Sequence, residues 1–147
     1  MYKENGKGMV KMIISIIVIV ALVILAYFYW NNIKTKKKSD DVRSNMLLIQ
    51  GTCSVLKENI TITKQETNYV GTKLSEMDDE IINEFKNKHI IEESDYEKFY
   101  ALKDEDLQKF NLNFRNEKNA YYLINYETDE VIITNSYNGK YKLSELQ

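Results

Sequence analysis

His89 and Cys53 are the only histidine and the only cysteine in the chain, so proton-transfer or thiol chemistry would have to start from them. A histidine acting as a general base needs a nucleophile within reach and a third group to orient it. No neighbouring Ser, Cys or Asp pattern around His89 resembles such an arrangement, and a histidine at the end of a short helix reads as structural. A single thiol excludes a disulfide framework and any multi-cysteine zinc site. The carboxylates Glu127, Asp129 and Glu130 could approach Ca²⁺, but calcium takes six or more oxygens and their spacing does not supply them. They read instead as a hairpin turn. The expectation is a chain with no catalytic residue, no metal site and no cofactor.

Two further groups could bind rather than react. Lys34, Lys36, Lys37 and Lys38 suit either anionic lipid headgroups or the plain flank of a stop-transfer segment. Tyr121, Tyr122, Tyr126, Tyr137 and Tyr141 could form a partner surface, although core and cross-strand packing is the expected use of most of them.

The elements that would position these groups fall into two halves of opposite charge. Residues 1–38 hold seven Lys and one Glu, a balance of +6; residues 39–147 hold thirteen Lys and Arg against twenty-one Asp and Glu, a balance of −8. An acidic domain repels phosphate backbones, so no direct nucleic-acid binding is expected of it. The basic half surrounds "MIISIIVIVALVILAYFYW", Met12 to Trp30, nineteen residues without a charge. At about 1.5 Å per residue that run spans roughly 30 Å, the thickness of a bilayer's hydrocarbon core. Its end is a cluster of aromatic rings, as suits a headgroup boundary. A cleaved secretory signal would have a shorter apolar core and small residues before the cut; here that end is bulky. The reading is a single-pass cell-membrane anchor in contact with membrane lipid. Three lysines precede the run and four follow it, a one-lysine margin for a cytoplasmic C-terminal side.

Beyond the membrane segment, Val42, Met46, Ile49, Cys53, Leu56 and Ile60 step by 4, 3, 4, 3, 4, the stripe of an amphipathic helix packed on one side. Either Ser39, Asp40 and Asp41 cap a new helix, or one helix of about fifty residues runs from Met9 to about Lys57. Residues 60–77 are irregular with Gly71 as a turn signal, and Ile81, Ile82 and Phe85 predict a short helix ending near His89. "FYAL" reads as a strand fragment and Asp104 begins a helix of one or two turns, stopped at Asn111. "AYYLINY" (120–126) and "VIITN" (131–135) alternate as strands around "ETDE", with Asp129 as the turn residue that tolerates positive φ. Asn138-Gly139 signals a second hairpin. Three antiparallel strands result, and a fourth if "LNFR" (112–115) pairs. The fold class is α+β: a long N-terminal helix, its first half transmembrane, with Val42, Met46, Ile49, Cys53 and Leu56 packed on a small C-terminal antiparallel sheet.

Three stretches together resemble the type IV pilin-like and type II secretion pseudopilin proteins of low-GC, clostridial-type bacteria. They are "KGMVKMIISIIVIVALV", "DVRSNMLLIQGTCSVLKENI", and "LKDEDLQKFNL" followed by "NAYYLINYETDEVIITNSYNGKYKLSEL". The resemblance leaves about residues 61–100 unmatched. It implies a leader, residues 1–8, that a prepilin peptidase removes after Gly8, making Met9 the first mature residue. It also implies a transmembrane segment over 9–30, a linker or helix continuation over 31–41, and a soluble pilin-like domain over 42–147 on the cell exterior. The implied partners are other pilin-like subunits and their assembly apparatus, in a type IV pilus, a secretion system or a DNA-uptake machine. The family usually carries a glutamate at the position held here by Ile13, and its helix-kinking proline is also missing. These departures imply a minor or divergent subunit. A single-span anchored module whose acidic domain docks a protein partner is the alternative.

Overall fold

The computed structural model describes residues 3–63, 69–137 and 139–146. Its compact units meet between Asp40 and Asp41. One helix, α1 (Lys3–Thr63), contributes to both. Ser39, Asp40 and Asp41 therefore lie in mid-helix and start nothing new. No proline interrupts α1, and a glycine in a helix costs only about 1 kcal/mol relative to alanine, so Gly6, Gly8 and Gly51 do not break it. Thr35, Thr52 and Thr61 return their hydroxyls to the carbonyl one turn back, Thr35 to Asn31 (3.0 Å) and Thr52 to Leu48 (2.8 Å).

In the first unit the helical residues from Gly6 to Lys38 are exposed throughout. The second unit is built on a five-stranded antiparallel sheet in the order β1 (Thr72–Lys73), β2 (Phe99–Leu102), β3 (Tyr122–Asn125), β4 (Glu130–Tyr137), β5 (Lys140–Lys142). Between strands lie α2 (Asp79–Asn87) and α3 (Asp104–Lys109).

Strand periodicity sorts the central strands into two cores. On one face the register sets Tyr100 beside Ile124 and Val131, and Leu102 beside Tyr122 and Ile133. This face receives Val42, Met46, Ile49 and Cys53 of α1, with Leu56 half-buried beside them. On the other face Ala101, Leu123 and Ile132 form the matching row, covered by Ile82 and Phe85 of α2 together with Leu74, Ile90 and Ile91. The sheet is thus covered on both sides, and every residue of β3 is buried. Simple in–out alternation along "YLIN" does not hold, because the segment 74–91 supplies a second apolar layer.

The helix ends follow from single residues. After α2, His89 takes φ 55°, with its N–H on Lys86 O and that of Ile90 on Phe85 O, both at 3.0 Å. After α3, Asn111 takes φ 56°, with its N–H on Gln108 O (2.9 Å) and that of Leu112 on Leu107 O (3.0 Å). Each is a left-handed stop that satisfies the last carbonyls while an apolar pair, Phe85 with Ile90 or Leu107 with Leu112, closes the turn. "LNFR" forms no strand. Both sides of β3 are already taken by β2 and β4, so the segment runs as coil and sends Leu112 and Phe114 into the core. The Phe114 ring meets Tyr122 edge-on at 5.7 Å.

Candidate functional site

The groups that sequence patterns single out for chemistry are placed far from reactivity. His89 is exposed and serves as the left-handed residue after α2. Cys53 is fully buried between α1 and the sheet. Burial pushes its thiol up to about 12; the Asp129 carboxylate pushes the same way, and a hydrogen bond with Tyr126 works against them. A nucleophilic cysteine needs the opposite environment, electropositive and open. Burial likewise raises the Tyr126 phenol, whose hydroxyl donates to Val70 O at 2.7 Å. Around it Tyr69 stacks on Tyr126 (4.2 Å between centroids), and Tyr100 meets both rings edge-on. Of the tyrosines read as a possible partner surface, Tyr122 and Tyr126 are core, while Tyr121 and Tyr141 pack half-buried on the second face.

The three acidic residues of the β3–β4 turn do not converge on one point. Asn125 organises the turn by accepting the N–H groups of Glu127 (2.9 Å) and Thr128 (3.3 Å), and Asp129 takes φ 57°. From α1, Gln50 donates to Asp129 O at 2.8 Å, while Lys57 donates to Glu127 O at 3.2 Å and sits 3.7 Å from Asp129 Oδ2. Asp129 Oδ1 is buried without a hydrogen bond. Glu130 accepts from Ser144 at 3.1 Å. This is a clamp between helix and hairpin. Among the described residues no three acidic, histidine or cysteine side chains are grouped to hold a metal. Of the second predicted hairpin turn, Gly139 has φ +75° and Asn138 lies outside the described residues.

A shallow depression between α3 and the 116–121 loop is lined by Asp104, Asn116, Glu117 and Tyr121 among others. The Asn116 amide within it is fully engaged by the fold. Asn116 donates to Leu102 O (2.9 Å) and Asp104 Oδ1 (3.1 Å), and its own oxygen accepts the Tyr122 N–H (3.2 Å). Neither this bridge nor the Gln50–Lys57 clamp was found from the sequence. Gln50 sits one position off the apolar stripe, where a polar residue reads as solvent-facing; Asn125, two residues ahead of "ETDE", was the legible signal for the turn.

What remains is the first unit. Gly8 and Met9 lie inside α1, and Ile13 is exposed one turn further on. Every large apolar side chain from Met9 to Ile33 is about half exposed or more, Trp30 at 66%. By length and composition α1 is one helix able to cross a membrane or to serve as a signal sequence. At the far end of the apolar run the Lys34 ammonium lies over the Trp30 ring, 5.6 Å from the centroid. No protein-family model, curated protein or solved structure matches the chain. The architecture is nonetheless pilin-like: a long N-terminal helix, apolar in its first part, whose later turns pack on a C-terminal antiparallel sheet.

Proposed function

We propose that the chain is a non-catalytic structural subunit, a minor or divergent pseudopilin, of a type IV pilus or a related secretion or DNA-uptake apparatus. In this reading it is held in the cell membrane by residues 9–30 with the acidic domain outside. A prepilin peptidase cuts between Gly8 and Met9, and the partners are other pilin-like subunits. The observation that carries the reading is the contrast along one unbroken helix: bare apolar turns from Met9 to Ile33, then a single buried stripe from Val42 to Cys53. The buried, proton-holding Cys53 and the structural His89 support a role without catalysis. The bulky aromatic end of the apolar run argues for retention rather than for removal as a signal.

A second reading, an uncut anchored module that docks a partner through its acidic domain, is favoured by two observations. The glutamate expected at position 13 is replaced by Ile13, and the lysine count leans toward a cytoplasmic domain. The N-terminus separates the two. Mass spectrometry of the protein extracted from membranes of its own cells should find a chain beginning at Met9, and Gly8→Val should retain residues 1–8. An intact leader in the natural sequence, with the peptidase active, refutes the pilin reading.

A further inference from the structure

Among the described residues the chain exposes two apolar surfaces, and the membrane reading uses only one of them. Within residues 41–147 the described large apolar side chains that are exposed are Leu47 (42%), Leu48 (51%), Val55 (57%) and Ile62 (77%). All four lie on α1. At 3.6 residues per turn Leu48, Val55 and Ile62 fall within about 40° of one another, and Gly51 lies between them and Leu47. This strip is roughly 150° around the helix from the buried stripe of Val42, Met46, Ile49 and Cys53, so it faces away from the sheet. Exposed apolar side chains scattered singly need no explanation; four gathered along one helix face do. The same stretch lacks charge. Residues 44–56 hold none, bounded by Asp41 and Arg43 before and by Lys57 and Glu58 after. A helix packed on one side normally presents charged and polar residues on the other. At Gly51 nothing lies within 4 Å of an added Cβ, which leaves its backbone open to close approach.

We propose that this strip pairs with the same strip of a second membrane-held copy, α1 beside α1, parallel about a two-fold axis. The pairing rests on the anchorage proposed above and on neither fate of the leader. Three observations choose that occupant. The seven-residue recurrence of Leu48, Val55 and Ile62 is the period of helices wound along a common seam. An uncharged strip offers a charged partner nothing to pair with, and the other exposed apolar surface, residues 9–33, already faces lipid in that reading. Area is the third. The strip covers on the order of a few hundred Å² per copy, short of the roughly 800 Å² per partner of a free-standing complex. It therefore suits a neighbour already held close, and a shared membrane holds two copies close with their helices running the same way. Like positions then meet, Leu48 with Leu48 and Val55 with Val55, and Gly51 lets the two backbones approach. Glu58 lies on this face between Val55 and Ile62, so in a two-fold pair it nears its own copy and weakens that end of the seam.

The full-length protein tests this in non-ionic detergent and in phosphatidylcholine bilayers. Sedimentation equilibrium in density-matched detergent should find a dimer, which Leu48→Glu weakens about tenfold and Glu58→Gln tightens. Both side chains are exposed, so neither variant should move the urea midpoint of the fold. In the bilayers, mild oxidation should join Val55→Cys into disulfide-linked pairs. Asn83→Cys, exposed on α2 at the other side of the sheet, should stay single, and the buried Cys53 takes no part. A monomeric natural chain, a dimer indifferent to Leu48→Glu, or equal cross-linking at positions 55 and 83 overturns the pairing. Weaker association of Glu58→Gln overturns the two-fold arrangement. In membranes of the chain's own cells, a Val55→Cys product joining one copy to a different protein, with no doubled chain, overturns the second copy as occupant. None of these measurements reads the N-terminus. Failure here leaves the pilin reading standing, and an intact leader leaves the pairing standing.

Discussion

The same substitution, glycine to alanine, should have three different outcomes at three places in this chain. At Gly71, φ is +112° and a Cβ would lie 3.0 Å from Ala101 O, 3.1 Å from Leu102 Cδ2 and 3.1 Å from Tyr100 Cβ. Positive φ costs an alanine about 1–2 kcal/mol. Pushing a Cβ against β2 adds roughly 1–3 kcal/mol, because the carbonyl oxygen cannot swing aside. Gly71→Ala should therefore lose about 3 kcal/mol. At Gly139, φ is +75° but nothing lies within 4 Å, so only the conformational term of about 1 kcal/mol remains. At Gly51, inside α1 and facing open space, alanine should gain up to about 1 kcal/mol through helix propensity. Urea titration of the full chain in non-ionic detergent, followed by the near-ultraviolet dichroism of the tyrosines, reads all three. Gly71 is two residues from Tyr69 in the Tyr69–Tyr100–Tyr126 cluster, so this band follows the relevant packing. With a slope of about 1.5 kcal/mol/M, the Gly71→Ala midpoint should fall by about 2 M while that of Gly51→Ala rises by up to ~0.7 M. A Gly71→Ala midpoint no lower than that of Gly139→Ala would refute the close approach of β1's entry to β2.

Asn116→Ala should cost about 2–3 kcal/mol in the same titration, since it strands the Tyr122 N–H and removes both donations to Leu102 O and Asp104; a loss under about 0.5 kcal/mol would show that water replaces the bridge. Cys53 gives a pH signature. Its thiol holds its proton to about 12 in the fold, whereas an unfolded thiol releases it near 8.5, so its contribution is complete below about 8.5 and is lost as pH rises toward 12. From pH 8.5 to 10 the natural chain should lose about 2 kcal/mol more than Cys53→Ala does, and parallel pH profiles of the two would show that Cys53 is not buried as a thiol.

The packed half of α1 was legible because its stripe has one period, and Val42, Met46, Ile49 and Cys53 have a single partner face to fill. The stops at His89 and Asn111 and the turn at Asp129 were legible too, each set by one residue in the left-handed region. Other features depend on competition between segments, which no local pattern encodes. "LNFR" has the alternation of a strand, and only the prior claims of β2 and β4 on the edges of β3 exclude it. β1 is two residues long, too short for any period, and exists because Gly71 lets the chain turn against β2. The second apolar layer did leave a trace in "YLI" and "VII", runs too apolar for a sheet with one wet face. Reading them as alternating strands hid the need for α2 as a cover.

The bare turns of α1 set the order in which the chain's requirements must be met. An exposed large apolar side chain forgoes about 1.5–3 kcal/mol relative to burial, and the run from Met9 to Ile33 presents such side chains at nearly every position. The total is tens of kcal/mol, whereas a domain of this size is stable by about 5–15 kcal/mol. No adjustment in the packing of residues 41–147 could offset that exposure. An apolar surrounding for residues 9–33 is therefore a condition on the protein, and the choices among its uses lie at the two ends of the run. At one end, whether the leader before Met9 is removed decides between subunit and anchored module. At the other, the Trp30 ring with the Lys34 ammonium over it marks where the apolar run gives way to charge. Gly8→Val should accordingly change the mass of the N-terminus and leave the urea midpoint of residues 41–147 unchanged, since nothing lies within 4 Å of a Cβ at Gly8. A shift in that midpoint would show that the residues around Gly8 and the packing of the domain are coupled.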